Sequence, residues 1–447
     1  MTEEKVRLGI DPIYSLKGIN PVQQFIFGLQ QAVAMFGATV LVPLLTGLDV
    51  NTTLLMAGLG TLLFHVITGF KVPVFLGSSF AFIVGYNIVA GSPFSDSFDA
   101  TKLPYASGGI FVAGLIYCVL ALIIKVVGVK RVMRWFPPVV TGPIIIGIGL
   151  ILAPVALNDI QRPIEGVPVA YNWLVALTAI IAIIVINIWG KGMLRVIPIL
   201  IGVIAAYIVA VIVGMVDFSA LKATEGIVAI PIYKENIMKF DVSAIITIAP
   251  IALATMMEHV GDVSAVSATV GRNFMADPGL HRTLIGDGLA TSMAAVFGGP
   301  ANTTYSENTG VLALTRIFAP GVMRIAACIA IVASLFPHVG SFIRSIPGPA
   351  IGGVSCILYG MISAIGVRNL IENQVDLTKA RNLMIVTIIL VSGLGISMGS
   401  AGGINFTIGD AKISLSGLAV AAILGILLNA ILPGKDYDFK EDEAKED

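Results

Sequence analysis

Four acidic side chains lie inside long apolar stretches of the sequence. Glu258 and Asp262 are four residues apart in IALATMMEHVGDVSAV, a spacing that places both on one face of a helix. Asp287 and Glu307 fall in the next two stretches. A carboxylate in the middle of a bilayer costs about 2.5–3.5 kcal/mol on insertion scales, so such residues usually mark a substrate or proton path. We therefore interpret Glu258 and Glu307 as substrate contacts, and Asp262 and Asp287 as proton-linked or supporting groups.

Each of these residues, taken alone, has an alternative structural interpretation. Any single carboxylate could instead be a structural group satisfied by hydroxyls and backbone amides. His259 follows Glu258 but points about 100° away around a helix, so we assign it a scaffold role. The sequence has neither an HExxH motif nor paired cysteines, and no nucleophile accompanies the acids. We therefore expect neither an enzyme nor a metal site.

The composition predicts the environment of these acids. Charged residues make up 12% of the 447 residues and hydrophobic ones 56%, whereas soluble proteins are about 25% charged. A chain this poor in charge cannot cover a water-facing surface, so the lipid bilayer is its expected partner. The 27 basic and 27 acidic residues balance, which provides no basic field for nucleic acid.

Apolar runs separated by turn residues or charges divide the chain into fourteen predicted membrane segments. Their approximate bounds are 22–47, 51–69, 76–91, 106–128, 136–155, 171–189, 195–216, 242–264, 283–299, 303–318, 320–340, 347–368, 380–398 and 414–433.

The positive charges orient these segments. With the N-terminus in the cytoplasm, twenty of the 27 lysines and arginines fall on the cytoplasmic side. The seven on the outer side are Lys102, Arg162, Lys222, Lys234, Lys239, Arg344 and Lys412. We expect a multi-pass protein of the cell (inner) membrane with both termini in the cytoplasm.

Segments three and ten are short and occupy matching positions in two halves of seven segments. The first begins Gly77-Ser78-Ser79-Phe80 and the second Asn302-Thr303-Thr304-Tyr305, which predicts short strands, each followed by a half-helix. Because seven is odd, the second half must be inverted relative to the first. Paired interrupted segments in inverted repeats indicate a transporter's binding site, with half-helix N–H groups facing it.

The segment from Glu307 to Arg316 fits the pattern ENxGxxxxTR. Together with QQAVAMFGATVLVP, LGSSFAF, EHVGD, DPGLHR, NTTYSEN and GGVSCILYG, it resembles the nucleobase–ascorbate transporter (nucleobase:cation symporter 2) family from about Gln30 to Pro433. Purine members of that family typically carry Gln at the first signature position, ascorbate members Pro and uracil permeases Glu. Glu307 makes the chain most similar to the proton-coupled uracil permeases.

The resemblance implies an all-α polytopic fold of two inverted seven-segment repeats, with short strands in segments three and ten. A core domain would comprise residues 18–128 and 240–342, and a gate domain residues 129–216 and 343–434. An acidic cytoplasmic tail would follow at 435–447. The resemblance also suggests a homodimer formed through the gate domain.

The resemblance further implies roles for particular residues. Glu258 and Glu307 match the substrate-binding carboxylates, and six more predicted substrate-site positions are Ser79, Phe80, Tyr305, Ser306, Ser355 and Tyr359. At the position where the best-known uracil permease pattern has His, this chain has Asp262, as purine-type members do. Gln31 stands where His is common. We group Asp262, Asp287, Gln31 and the signature residue Asn308 as proton-coupling or supporting residues.

These features predict a proton-coupled symporter that imports uracil by alternating access, with the proton gradient as driving force and no cofactor. A symporter for xanthine, uric acid or another purine is the first alternative. An anion transporter or channel of the same fold is the second, although Glu307 at a half-helix start would repel an anion.

Overall fold

The computed structural model describes residues 11–434 apart from positions 94, 96, 165, 400, 401, 409 and 410. The first ten residues and the predicted acidic tail at 435–447 lie outside the described part of the chain.

Helices make up most of the described chain. They are α1 (Pro21–Thr46), α2 (Val50–Ile67), α3 (Ile83–Ala90), α4 (Leu103–Val127), α5 (Val129–Met133), α6 (Pro138–Gln161), α7 (Val169–Trp189), α8 (Pro198–Ile212), α9 (Ser219–Lys222), α10 (Val242–Ile248), α11 (Ala252–Val270), α12 (Leu280–Val296), α13 (Ser306–Thr315), α14 (Gly321–Ser334), α15 (Pro337–Arg344), α16 (Gly348–Glu372), α17 (Ala380–Met398) and α18 (Gly417–Ile431). The strands are β1 (Leu76–Ser78), β2 (Asn302–Thr304), β3 (Gly403–Ile408) and β4 (Ala411–Ser416).

Many of these helices are suited to a bilayer. Within the described residues, eight helical stretches are long and apolar enough to cross a membrane. A ninth is added if α14 and α15, which are bent by 84° at their junction, form one broken span. Two shorter apolar helices are α8 and α18. The chain is therefore a multi-pass membrane protein.

Strands β1 and β2 form an antiparallel pair although more than 220 residues separate them in sequence. Leu76 pairs with Thr304 and Ser78 with Asn302, and both strands are fully buried. Neighbouring helices supply further hydrogen bonds, since the Thr61 hydroxyl accepts from Leu76 N at 2.9 Å and that of Thr291 from Asn302 N at 3.1 Å. Non-helical backbone at membrane depth is tolerated where protein surrounds it in this way.

A hairpin, β3–β4, lies between α17 and α18 and adds to the strands expected from sequence. Its sequence alternates apolar and polar residues, with Ile404 and Phe406 beside Asn405 and Thr407, which is the period of a strand. Strand β4 packs against α10 and α3, so the hairpin joins two otherwise distant parts of the chain.

The long helices pack in two sets. In one set α1 and α2 pack against α14, and α2 and α4 pack against α12. In the other, α16 packs against α6, α7 and α8, and α17 packs against α6 and α18. The β1–β2 pair contacts α1, α2, α11 and α12, so it belongs with the first set.

Candidate functional site

The β1–β2 pair fixes the starts of two half-helices. Helix α13 begins at Ser306, one residue beyond Tyr305, which follows β2, and α3 begins at Ile83, a few residues after β1. Hydrogen bonds from Ser79 N to the Ala301 carbonyl (2.8 Å) and from Tyr305 N to the Phe75 carbonyl (3.1 Å) extend the pairing beyond the strands. Neither helix has a side-chain cap, so the positive end of each dipole is available to a ligand or a carboxylate.

Tyr305 is packed onto β1. Its hydroxyl donates to the Ser78 carbonyl at 2.9 Å and lies 3.2 Å from the Ser78 Oγ. Its ring covers Gly77 so closely that a Cβ at this glycine would overlap the ring carbons. Tyr305 is 4% exposed, and it therefore holds the strand pair together at the start of α13.

The four carboxylates predicted from sequence lie in one region. Helix α11 carries Glu258 and Asp262, α12 carries Asp287, and Glu307 occupies the first turn of α13. The charges of Asp287 and Glu307 act on Glu258, and those of all three act on Asp262. Asp287 is fully buried, whereas the other three are half-buried. A negative group in the first turn also suits the helix dipole of α13.

Asp262 is bonded to the strand pair. The Thr304 hydroxyl donates to its Oδ2 at 2.6 Å, a distance typical of a charge-assisted hydrogen bond. This bond links the middle of α11 to the last residue of β2, one residue before Tyr305. The hydrogen bond therefore couples the charge of Asp262 to the position of the start of α13.

Asp287 pairs with the histidine that follows Glu258. The Nδ1 atom of His259 lies 2.9 Å from Oδ2 of Asp287, and both side chains are completely buried. The pair joins α11 to α12 at the residue that follows Glu258. It gives Asp287 an ion-pair partner and holds the turn of α11 that carries Glu258.

Gln31 and Asn308 join α1 to α13. The Asn308 Nδ2 donates to the Gln31 carbonyl at 2.9 Å and to its Oε1 at 2.8 Å. Both side chains are buried. This double contact fixes the turn of α13 that follows Glu307.

Two cavities meet at the first turns of α13. One of about 670 Å³ is lined by Ser306 and Thr309 on α13, by α11 and α6, and by the end of α16 from Arg368 to Asn373. The other, of about 440 Å³, is lined by Glu307, by α1 and by residues 195–200. Gly310 lines both, so α13 forms the wall between them.

The remaining predicted site residues lie at different depths. Phe80 is half-buried and packs against both large apolar clusters of the fold, next to the buried Ser79. Ser355 and Tyr359 are buried on α16 and line neither cavity. The oxygens of Ser79, Ser355 and Tyr359 have no hydrogen-bond partner in the described part of the chain.

Three residues that contribute to this region were not singled out from sequence. Thr304 donates to Asp262, and the Ser78 carbonyl accepts from Tyr305, so both bonds join segments that are distant in sequence. In the sequence, only their position in hydroxyl-rich runs indicated a role for Thr304 and Ser78. Asp159 on α6 is 3% exposed and its charge acts on Tyr359. Asp159 follows the predicted segment 136–155, and a single acidic residue after an apolar run is usually interpreted as part of a loop.

The donors and acceptors of this region suit a small polar molecule with both kinds of group. Glu258 and Glu307 offer acceptors, and the uncapped starts of α3 and α13 offer N–H donors. Within the described residues, no group of three or more His, Cys, Asp or Glu side chains is arranged to hold a metal ion.

Solved structures with the same fold are membrane transporters. The transmembrane domain of a cyanobacterial bicarbonate transporter, BicA, superposes with a TM-score of 0.63 at 15% identity and covers 94% of this chain and 99% of that one. SLC26A9 gives a TM-score of 0.65 at 12% identity, covering 93% of this chain and 66% of that one. These likenesses show that the chain shares the fold of these two proteins.

The sequence comparisons define the family. The profile of the Permease family (Xan_ur_permease) matches residues 22–402. The chain is 41% identical over 429 residues to the uracil permease of Bacillus caldolyticus, covering 95% of both chains. It is 38% identical over 442 residues to the uracil permease of Bacillus subtilis strain 168, covering 97% of both. The chain belongs to the Permease family, which confirms the prediction from the Glu307–Arg316 signature, and it is a transporter and not an enzyme.

Proposed function

We propose that this permease imports uracil together with a proton. The observation that carries the proposal is the position of Glu307 in the first turn of the uncapped α13, where it lines a cavity and its charge acts on Glu258. Relatives that are 38–41% identical over nearly their whole length are named uracil permeases, which supports the choice of substrate.

The chemistry of uracil matches these groups. Uracil is planar and uncharged, with two N–H donors and two carbonyl acceptors. The carboxylates of Glu258 and Glu307 can accept from its N–H groups, half-helix amides can donate to its carbonyls, and Phe80 offers a face for stacking. A site built on hydrogen bonds rejects analogues that lack the matching group far better than an apolar pocket does.

The number of acids in one region supports proton coupling. Several carboxylates in a low-dielectric region raise the free energy of a transport step in which they move. A proton taken up with the substrate neutralises one carboxylate and so lowers the free-energy cost of this step for the loaded protein. Asp262 and Asp287 are the proposed proton-linked groups. The hydrogen bond from Thr304 couples the charge of Asp262 to the half-helix start, and the 2.9 Å contact with His259 couples that of Asp287 to the helix that presents Glu258.

Transport by alternating access requires two bodies that move relative to each other. We assign these bodies as the core (18–128 and 240–342) and gate (129–216 and 343–434) of a fourteen-segment inverted repeat. The packing of the long helices in two sets supports this division. The cavity that runs to Arg368 supports a state open to the cytoplasm, with both termini on that side of the cell membrane and a homodimer formed through the gate.

Asp262 favours one further candidate, a purine symporter, because purine-type members carry Asp at this position of the EHVGD motif. Competition separates the two substrates: excess xanthine that displaces uracil poorly supports the uracil assignment. An anion as cargo is disfavoured, since Glu307 would repel it at the start of α13.

The test is uptake of radiolabelled uracil into proteoliposomes with and without an imposed proton gradient. We expect saturable uptake that the gradient accelerates and that Glu307→Gln abolishes. Glu225→Gln, which removes a carboxylate from an exposed position outside the site, is the matched control and should transport normally. Gradient-independent uptake would remove the coupling, and an unaltered Glu307→Gln protein would remove the proposed site.

A further inference from the structure

A long apolar groove lies on the outer surface of α1 and α14, away from the candidate substrate site. It encloses about 800 Å³ and is lined by Phe25 on α1 and by Ile325, Cys328 and Val332 along α14. Phe25 and Val332 are more than half exposed. In a bilayer this groove faces lipid chains and not water.

One end of the groove is cationic. Arg324 lines it, half-buried, with its guanidinium 4.9 Å from the centre of the Phe70 ring. Within the described residues, this guanidinium has no carboxylate partner. An arginine held at the edge of an apolar groove by an aromatic ring is a binding point for an anion.

A second arginine lies near this end. Leu16 lines the groove beside Arg324, and Tyr14 lies two residues before it. The Arg272 guanidinium stacks over the Tyr14 ring at 4.3 Å. The cationic end therefore coincides with the level at which basic residues gather in a membrane protein, that of the headgroups.

The length of the groove fits one leaflet. From Arg324 to Val332 the groove follows eight residue steps of α14, which corresponds to about 12 Å at about 1.5 Å per residue. One leaflet contributes about half of a hydrocarbon core that is about 30 Å thick. At the far end α15 turns by 84°, and Phe336 and Val339 from this region line the groove there. A groove of this length, charged at one end and crossed by a helix at the other, fits an acyl chain better than a partner helix.

We propose that the groove is a specific site for one anionic phospholipid. Its phosphate pairs with the Arg324 guanidinium at the headgroup level, and one acyl chain lies along α14 from Ile325 towards Phe336. A bound lipid would hold α1 against α14, two helices that pack directly against each other.

The experiment uses the purified, delipidated full-length protein in detergent and measures the midpoint of thermal unfolding. The probe is phosphatidylglycerol, with phosphatidylcholine of the same chains as the uncharged comparison. Ligands that bind the folded state raise the midpoint by mass action. We expect phosphatidylglycerol to raise it at lower concentration than phosphatidylcholine, and R324Q to weaken the apparent affinity for phosphatidylglycerol about five- to tenfold.

Matched variants separate the contribution of the Arg324 charge to lipid binding from that of the apolar groove. Lys125→Gln removes an exposed cation from the end of α4, outside the groove, and should leave the phosphatidylglycerol response unchanged. Arg324→Lys keeps the charge and should retain most of it. Cys328→Trp fills the exposed middle of the groove and should abolish the response with Arg324 in place.

Three results would overturn the proposal. They are equal responses to the two lipids, an undiminished response of R324Q, and an equal midpoint shift by glycerol phosphate, which would indicate an anion site without a chain site.

Discussion

The Thr304 hydroxyl donates to Oδ2 of Asp262 at 2.6 Å, which joins the end of β2 to the middle of α11. The bond crosses from a discontinuous segment to the helix that carries Glu258. It therefore connects the group proposed to respond to the proton with the half-helix start proposed to hold the substrate. A proton on Asp262 would weaken this bond and loosen the strand end.

We expect Thr304→Val, which keeps the shape and removes the hydroxyl, to lower the transport efficiency for uracil about tenfold or more. A hydrogen bond to a charged group contributes about 1.5–3 kcal/mol, and about 1.4 kcal/mol corresponds to a factor of ten. Initial uptake rates over a range of uracil concentrations measure the effect.

Thr304→Ser is the control for this prediction, since it restores the donor and should recover most of the transport. If the valine variant transports as well as the unmodified protein, the bond has no part in the cycle.

Gly77→Ala should destabilise the folded protein because the new Cβ would overlap the Tyr305 ring. Overpacking of a tight site costs about 1–3 kcal/mol. We expect a lower midpoint of thermal unfolding, and partial recovery when Tyr305→Leu in the same chain removes the ring. The matched control is Gly395→Ala on α17, where nothing lies within 4 Å of the added Cβ. An unshifted midpoint for Gly77→Ala would contradict the close packing of β1 under Tyr305.

Part of this arrangement can be predicted from the sequence because it depends on residues that are close together in the chain. The four-residue spacing of Glu258 and Asp262 gives a shared helical face, and the cost of acids in apolar runs marks them as functional. The contact of Tyr305 with Ser78 and that of Thr304 with Asp262 depend on how segments far apart in the chain meet. No periodicity encodes such contacts.

Other features were missed for a different reason. The 84° bend between α14 and α15 lies within one continuous apolar segment, 320–340, which hydropathy alone reads as straight. The β3–β4 hairpin has the alternation of a strand, but it falls between two apolar segments where a connecting loop is expected.

His259 and Asp287 should depend on each other for stability. Breaking a buried pair by removing one partner costs about 3–5 kcal/mol because the other group is left buried without compensation. We expect His259→Ala and Asp287→Ala each to lower the unfolding midpoint strongly, and the double variant to lower it by less than the sum. Strictly additive shifts would show that the two side chains act independently.

Asp49 has two contacts that different substitutions can separate. Its carboxylate caps α2 by accepting from Thr52 N at 2.7 Å, and it pairs with Arg344 at the end of α15. Asn retains the cap and removes the charge, whereas Ala removes both. We expect Asp49→Ala to destabilise the protein by about 1 kcal/mol more than Asp49→Asn, measured by thermal unfolding.

Arg344→Gln serves as the comparison for the ion pair alone. Because the arginine is 53% exposed, its loss should have a small effect, close to that of Asp49→Asn. A larger loss for Arg344→Gln than for Asp49→Ala would assign the main stabilisation to the pair and not to the cap.

The cavity beside α13 predicts from which side the site can be reached. Thr309 lines this cavity, which extends to Arg368, a residue predicted to lie on the cytoplasmic side. In a background where the three native cysteines are replaced by serine, Thr309→Cys should react with a membrane-impermeant maleimide in inside-out vesicles and stay unmodified in right-side-out vesicles. Saturating uracil should slow the reaction, because Ser306, a predicted substrate position, lines the same cavity as Thr309.

The control for this labelling is Glu225→Cys, which lies in the exposed segment between α9 and α10. This segment is predicted to be on the outer side, so its cysteine should show the opposite pattern. Labelling of Thr309→Cys only from the outer side would reverse the proposed orientation of the open cavity. Labelling with the predicted sidedness but without protection by uracil would instead separate this cavity from the substrate path, since a substrate held at Ser306 would occupy the cavity that Thr309 lines.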